Sequence, residues 1–187
     1  MLFRSRNGMG KTTLCNAITG LVPAGGSVKL AGEEILGRSP HEITRRGIAY
    51  VPQGRRVWPS LSVDETLRLV ASHRREVDRI YAMFPRLAER KGNGGSQLSG
   101  GEQQMLAMAR GLATKPALLL LDELSMGLAP IVVEELYEIV AQIAREGVSI
   151  LVVEQFASTV LGVADLAAVL VHGRVARVGT QIGRAHV

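Results

Sequence analysis

The start of the chain carries residue types that could bind a phosphate group. Gly10-Lys11-Thr12-Thr13 resembles the end of the pattern G-x-x-x-x-G-K-[ST]. In that pattern, successive backbone N–H groups surround phosphate oxygens, the lysine neutralises them and the hydroxyl holds Mg²⁺. A helix over residues 14–21 would direct its positive N-terminal end at the same phosphates. The alternative is a glycine-rich turn beside a solvated lysine. The predicted nucleotide-binding residues are Asn7, Gly8, Gly10, Lys11, Thr12 and Thr13, and Thr12 is also a predicted metal ligand.

A second candidate group is a pair of carboxylates that follows an apolar strand. Residues 118–121 are all leucine, and Asp122 and Glu123 come next. At the carboxyl edge of a parallel sheet, Asp122 could bind Mg²⁺. Glu123 could then act as the general base that polarises an attacking water. The alternative is a strand end that simply meets solvent.

Two further motifs lie between these. Gln53 follows a predicted strand over residues 47–51, and its amide oxygen suits Mg²⁺ and water. We predict that it binds nucleotide and metal, although a loop glutamine is more often a surface residue. Ser99-Gly100-Gly101 lies 19 residues before the strand at 118 and places a hydroxyl and bare backbone N–H groups at a helix start, which suits an anion. The alternative there is an ordinary serine N-cap.

The elements that would position these residues alternate between strand and helix. Ser62 with Glu65 three residues later predicts a capping box, and the helical pattern from there to about Arg90 is interrupted near Pro85. Strands alternating with helices predict an α/β fold with a parallel sheet covered on both faces. The mainly helical pattern of residues 57–114 predicts a helical lobe that interrupts this fold. Residues 1–4 are too short for a good buried strand before the phosphate loop. Strands are predicted at 27–31, 47–51, 117–121 and 148–153, helices at 101–113, 131–145 and 158–164, a loop at 92–96, and hairpin turns at 31–33 and 172–173.

Composition excludes several classes of protein. The 187 residues are 47% hydrophobic, which suits one domain with a sizeable core. No apolar run approaches the roughly 20 residues that span a bilayer. The single cysteine, Cys15, excludes an internal disulfide and suits the cytosol. Paired arginines are scattered and lack interleaved aromatics, so no nucleic-acid partner is expected.

Both ends of the chain suggest an origin outside the gene. Residues 1–5 can be encoded GTG-CTC-TTC-CGA-TCT, and residues 182–187 ATC-GGA-AGA-GCA-CAC-GTC. These strings resemble the two ends of a common short-read sequencing adapter. We therefore expect 1–5 and 181–187 to be adapter scars around a single domain, 6–180, that is incomplete at both ends. Ser5, which stands where the phosphate-loop pattern has its first glycine, would then be an artefact; the alternative is a natural start and a natural basic tail.

The order of the motifs resembles that of the ABC-type ATPases from about Arg6 to Thr180. Val51-Pro52-Gln53 lies between the phosphate loop and Ser99–Gln103, and the leucine strand with its carboxylates follows. The resemblance implies a P-loop NTPase core with an inserted helical lobe and a partial antiparallel β subdomain, whose N-terminal strands are missing. It implies ATP and Mg²⁺ as cofactors and a dimer that sandwiches two ATP molecules. The residues expected to close over the nucleotide of the partner subunit are Ser99, Gly100, Gly101 and Gln103.

Finer matches at 47–56, 58–61, 101–107 and 127–130 resemble the ATP-binding subunits of branched-chain amino-acid importers. Gln155 stands where most of the family has a histidine that contacts the γ-phosphate, as in the second ATPase type of these importers, and is a predicted catalytic residue. Glu154 beside it is expected to be structural. The expected partners are a second ATPase subunit, in a homo- or heterodimer, membrane-spanning permease chains and indirectly a solute-binding protein. The expected location is the cytoplasmic face of the inner membrane.

Two alternatives to this function stay open. Importers of urea or short amides use similar ATPases, and a soluble ABC ATPase acting on DNA or ribosomes belongs to a different class. Three positions depart from the family pattern: Leu124 replaces a proline, Phe156 replaces an asparagine, and Met126 is a mild change in a loop expected at the dimer interface. None of them removes a catalytic group.

Overall fold

The computed structural model describes residues 2–4, 10–155, 162 and 164–180. Within them, one sheet has six strands in the order β4-β5-β6-β1-β7-β8, and a second sheet is the hairpin β2-β3. Neighbouring strands of the large sheet are parallel except β7 and β8, which are antiparallel. The strands are β1 Leu2–Arg4, β2 Lys29–Leu30, β3 Glu33–Glu34, β4 Ile48–Val51, β5 Leu118–Asp122, β6 Ser149–Glu154, β7 Leu166–Val171 and β8 Arg174–Thr180.

The helices confirm the predicted alternation of an α/β fold. The segment between β4 and β5 contains four of the helices, and all four lie within residues 57–114, where a helical lobe is predicted. The helices are α1 Lys11–Ile18, α2 Pro40–Arg45, α3 Val63–Val70, α4 Arg74–Met83, α5 Pro85–Glu89, α6 Gly100–Leu112 and α7 Pro130–Arg145. None of the helices in the described part of the chain combines the length and the apolar character that crossing a bilayer requires.

The expectation that residues 1–4 are too short for a buried strand was wrong. Leu2–Arg4 forms β1 in the interior of the sheet and pairs with β6 on one side and β7 on the other. Because both edges of this strand are hydrogen-bonded, three residues are enough to place it. The chain that leaves β1 toward α1 therefore starts at the carboxyl edge of a parallel sheet, where ligands of open α/β folds bind.

The middle of the sheet is apolar on both faces. Leu119, Leu120 and Leu121 of β5 are fully buried, as expected for a strand of a covered parallel sheet. One face packs against α6, whose residues 105–109 are buried without interruption. The opposite face carries a smaller cluster with Ile43 and Ile48. Since β5 is held from both sides, the two carboxylates at its end have a rigid support.

Several element boundaries differ from prediction. The helix expected over 14–21 is α1, Lys11–Ile18: it starts directly at the lysine and ends before Gly20, whose φ is +72°. A Cβ on Gly20 would lie 2.6 Å from the carbonyl oxygen of Arg38, so the turn requires glycine. The predicted loop at 92–96 contains a 3₁₀ turn over Gly95–Gln97. Most of the helix expected over 158–164 lies outside the described residues, at 158–161 and 163, whereas both predicted hairpins are confirmed.

Serine capping boxes start three of the helices. Ser62 accepts a hydrogen bond from the backbone N–H of Glu65, whose carboxylate accepts one from the N–H of Ser62, as predicted. The same reciprocal arrangement joins Ser39 to Glu42 at α2 and Ser99 to Glu102 at α6. Each box satisfies N–H groups that the first helical turn leaves without a partner.

Two ion pairs hold α4 against its neighbours. Glu76 on α4 is 7% exposed and pairs with Lys115, in the turn after α6, at 2.7 Å. Arg79, one turn further along α4, pairs with Glu146 at the end of α7. These contacts join α4 to both the entrance of β5 and the end of α7.

Candidate nucleotide-binding site

Three predicted site residues meet at the carboxyl edge of the sheet. The Nζ of Lys11 lies 2.9 Å from Oε1 of Glu123, and both side chains are nearly buried, with 4% and 10% exposed. Gln53 donates from its amide nitrogen to the other carboxylate oxygen of Glu123 at 2.9 Å. The same nitrogen lies 3.0 Å from the sulfur of Met126. The structure therefore brings together the ends of β4 and β5 and the first residue of α1.

Asp122 is the most buried carboxylate of this group, with 1% exposed. Tyr50 donates its hydroxyl to Oδ2 at 3.1 Å, whereas Oδ1 has no hydrogen-bond partner of good geometry among the described residues. Burial raises the pKa of Asp122 above the usual carboxyl range, and the charge of Glu123 adds to the rise, while hydrogen bonds from Thr12 and Tyr50 and the charge of Lys11 offset it only in part. An ionised Asp122 in this place favours a cation beside it.

These side chains fit a magnesium ion that is shared with phosphate. No group of three or more His, Cys, Asp or Glu side chains that could hold a metal occurs in the described part of the chain. Mg²⁺ does not need one, because it is usually held by one or two carboxylates together with substrate phosphates and water. The unpartnered oxygen of Asp122, the hydroxyl of Thr12 and the amide oxygen of Gln53, which its two contacts leave unused, are the donors that such an ion takes.

The backbone at Glu123 has an unusual conformation. Its φ is +51°, in the left-handed region, and its N–H donates to the carbonyl of Val153 at 2.8 Å. Leu124, which replaces the proline of the family pattern, is 1% exposed and belongs to the core. Hydrogen bonding to β6 and burial of the next side chain thus hold the loop that carries Glu123.

Glu154 organises the residues beside the site, as expected for a structural role. It is 1% exposed and accepts four hydrogen bonds, from the N–H and hydroxyl of Ser125, the hydroxyl of Tyr137 and the N–H of Gln155. Gln155 is thereby placed on the wall of a cavity of about 590 Å³, which Glu123 also lines. The two residues predicted to be catalytic face the same space.

The start of α6 has the predicted serine and glycines on its first turn. Ser99 is the exposed N-cap, and Gly100 and Gly101 follow as the first helical residues. The hydroxyls of Ser39 and Ser62 donate to their capping glutamates at 2.8 and 2.7 Å. The hydroxyl of Ser99 is likewise hydrogen-bonded to the carboxylate of its capping residue Glu102, and it lies at the positive end of a 13-residue helix.

This second group of residues is separate from the first. Among the described residues, no hydrogen bond or ion pair joins Ser99, Gly100 or Gly101 to Asp122 or Glu123. Gln103 is occupied within its own chain, since it donates to the carbonyl of Gly95 at 3.0 Å. Asn7, Gly8 and Phe156 lie outside the described residues, as do Ser5 and residues 181–187.

Three residues of the site region were not predicted from the sequence. Tyr50 bonds Asp122, and its register on β4, opposite Leu120, places it next to the end of β5. Arg55 lies against the start of α6, and Tyr137 fixes Glu154. The alternation of β4 could have indicated Tyr50, but the other two depend on contacts between segments far apart in the chain.

A parallel sheet with a helical segment inserted between β4 and β5, and with lysine, aspartate and glutamate gathered at its carboxyl edge, defines an ATPase of the ATP-binding cassette class. The ABC transporter family matches residues 4–125, so the chain belongs to that family, whose cassettes hydrolyse ATP. The fold is also that of the ATP-binding cassette MJ1267 in its ADP conformation, with a TM-score of 0.85 and 24% identity over 96% of this chain and 79% of that one.

Two relatives with known assignments are more similar in sequence. The high-affinity branched-chain amino acid transport ATP-binding protein BraG of Pseudomonas aeruginosa is 45% identical over 90% of this chain and 76% of its own length. The probable branched-chain amino acid transport ATP-binding protein LivF of Archaeoglobus fulgidus is 41% identical over 93% of this chain and 77% of its own. The resemblance to importer ATPases is thus matched by sequence identity along most of the chain.

Proposed function

We propose that this chain is the ATP-hydrolysing subunit of an ABC importer for branched-chain amino acids. The observation that carries the ATPase site is the contact between Lys11, Glu123 and Gln53, with Asp122 directly beside it. The substrate class is supported by the identity of 45% to BraG and 41% to LivF, whose names assign them to branched-chain amino-acid transport. The solute itself is bound by other chains of such an importer.

The site residues have distinct roles in hydrolysis. Lys11 binds the terminal phosphates, and in doing so it leaves Glu123. The freed carboxylate then orients a water molecule for attack on the γ-phosphate and accepts its proton. Thr12, Gln53 and Asp122 would hold Mg²⁺, which when bound neutralises charge on the phosphates. Gln155 donates an amide hydrogen bond to the γ-phosphate from the wall of the same cavity, and unlike histidine it cannot carry a proton.

The start of α6 serves a nucleotide bound by a second subunit. Ser99 is exposed, and Gly100 and Gly101, which follow it, have no side chains of their own beside their backbone N–H groups. A phosphate of the partner subunit's nucleotide suits this end of the helix. Two such subunits, identical or closely related, would close around two ATP molecules.

The remaining partners follow from the importer. Closure and reopening of the ATPase pair would drive permease chains in the membrane, which receive the solute from a binding protein. The chain would work at the cytoplasmic face of the membrane as a peripheral subunit.

The test compares Glu123→Gln with Glu134→Gln. Both remove one carboxylate from the same cavity, but Glu134 is an exposed residue of α7. With Mg²⁺ and ATP, Glu123→Gln should slow hydrolysis by about 100-fold or more and accumulate an ATP-bound dimer, whereas Glu134→Gln should hydrolyse normally. Normal turnover by Glu123→Gln would remove Glu123 as the base. Uptake of leucine and of urea by the chain co-reconstituted with its permease distinguishes the two importer classes.

A further inference from the structure

The guanidinium of Arg55 lies flat against the first residue of α6. A Cβ on Gly100 would be 2.9 Å from Nη1, and 3.1 Å from both Cζ and Nη2. Nη1 also reaches Oε1 of Gln103 at 3.5 Å, and a Cβ on Gly127 would lie 3.8 Å from Nη2. Arg55 therefore joins three segments: its own loop after β4, the start of α6, and the loop that follows Glu123.

The backbone under this side chain is held in an unfavourable conformation. Gly54, Arg55 and Arg56 have φ values of +86°, +66° and +44°, so three successive residues are left-handed. Only glycine adopts this region without strain, and runs of such residues are rare. Strain of this kind persists where the surroundings enforce it, and it concentrates in switch regions. Gln53, which precedes the run, is the residue that contacts Glu123.

The other end of the loop is attached to the same helix. Arg110, near the end of α6, donates to the carbonyl of Arg56 at 2.9 Å and stacks its guanidinium on the ring of Trp58, 4.9 Å from the centroid. The loop after Gln53 is thus fastened to α6 at both ends, by Arg55 at the first turn and by Arg110 three turns later.

Charge does not explain why Arg55 lies there. A cation at the N-terminus of a helix opposes the helix dipole. Among the described residues Arg55 makes no ion pair with a carboxylate. It is held by shape, in a gap that exists because Gly100 and Gly127 have no side chains. We therefore ascribe a geometric role to Arg55, because its position depends on packing against the two glycines and not on pairing with an opposite charge.

We propose that Arg55 is a positioning residue that couples Gln53 to the start of α6. When nucleotide draws Gln53 away from Glu123, the strained run turns and Arg55 carries the shift to Ser99–Gly101. The helix start is thereby aligned with the occupied state of its own site before it meets the partner subunit. This inference rests on the proposed function, because it takes Gln53 and α6 as parts of the ATPase site.

The chain supplies its own probe and its own control. Trp58 is the single tryptophan and touches Arg110 at the end of the loop. Arg55→Asn removes the guanidinium but keeps a residue that tolerates the left-handed region. Arg56→Asn makes the same change one residue later, at an exposed side chain, and keeps the carbonyl that Arg110 binds. ATP affinity, Trp58 emission on addition of Mg²⁺ and ATP, and the hydrolysis rate are measured for the three proteins.

For Arg55→Asn we expect ATP affinity within about twofold of the unaltered chain, loss of the change in Trp58 emission, and hydrolysis reduced about tenfold, within the usual range of coupling between sites. Arg56→Asn should keep all three properties. Equal behaviour of the two variants, or a loss of ATP affinity in Arg55→Asn, would overturn the proposal. If the unaltered chain binds no ATP, the proposed function fails instead. In that case, hydrogen exchange of the Gly100 and Gly101 amides is measured without nucleotide. Faster exchange in Arg55→Asn alone supports the coupling, and unchanged exchange refutes it.

Discussion

The ammonium of Lys11 is ion-paired with the carboxylate of Glu123, 2.9 Å away, in a nearly buried contact. One of these groups is expected to bind phosphate and the other to activate water. Neither can do so while the pair is closed. Separating a buried pair is costly unless another charge replaces the lost partner, and a phosphate oxygen is such a replacement for Lys11. We therefore expect nucleotide binding to release Glu123 from Lys11 in the same step.

This pairing predicts that Glu123→Gln binds nucleotide more tightly than the unaltered chain. The neutral amide competes less for Lys11, so a non-hydrolysable ATP analogue should bind about fivefold tighter, which corresponds to about 1 kcal/mol. Titration calorimetry measures the affinity, with Glu134→Gln as the control. Weaker binding by Glu123→Gln would show that the carboxylate assists nucleotide binding and does not compete with it.

Ser99→Ala and Ser62→Ala should separate capping from catalysis. Each removes the serine of one capping box and should lower the free energy of unfolding by about 1 kcal/mol, measured by urea denaturation. Only Ser99→Ala should slow hydrolysis, because only Ser99 lies at the helix start that we propose binds the nucleotide of the partner subunit. If both variants hydrolyse ATP equally well, Ser99 is a cap and nothing more.

Gly101 is also required by packing. A Cβ at this position would lie 2.6 Å from Cγ1 of Val132 on α7. Gly101→Ala should therefore cost about 1–3 kcal/mol of unfolding free energy, despite the better helix propensity of alanine. Val132→Ala in the same chain should restore stability by making room. Hydrolysis by the double variant then shows whether the bare N–H groups matter in themselves, and a stable single variant would contradict the packing argument.

Asp122→Asn should stabilise the nucleotide-free protein at neutral pH. The raised pKa of Asp122 means that the folded state holds its proton more tightly than the unfolded chain does. Stability is therefore lost as pH rises above the ordinary aspartate value of about 3.9, and asparagine avoids this loss. We expect a gain in Tm of about 2–4 °C at pH 7, equivalent to about 1 kcal/mol, which fades as the pH is lowered toward 4. The exposed Asp165→Asn should show no gain; a gain for Asp122→Asn that is independent of pH would have another cause.

The motifs allowed much of the fold to be predicted, because they are local. Ser62 with Glu65, the leucines of β5 and the turn at residues 31–33 each carry their signal within a few positions. β1 could not be predicted, since three residues form a strand only when β6 and β7 flank them on both sides. The boundaries of α1 depend likewise on the packing of Gly20 against a distant turn.

The candidate site was predicted as a set of residue types but not as a geometry. The order of motifs brings Lys11, Asp122 and Glu123 to one sheet edge. The sequence did not predict the ion pair of Lys11 with Glu123 or the contact of Arg55 with Gly100. Both contacts depend on backbone conformations that the residue types alone do not determine. Left-handed φ values at Glu123 and Arg55 are enforced by tertiary contacts against their local preference.

The ion pair of Arg79 with Glu146, at the end of α7, gives the helical segment a second attachment besides the loop after Gln53. A rigid segment that is attached at two places can rotate about one attachment when the other is displaced. We therefore expect the ion pair of Arg79 with Glu146 to act as a pivot whose strength depends on the solution. Because the two side chains are 37% and 34% exposed, salt near 1 M, where the Debye length is about 3 Å, should weaken their attraction. Ionic strength should then change how far the helical segment can move without altering the proposed catalytic residues.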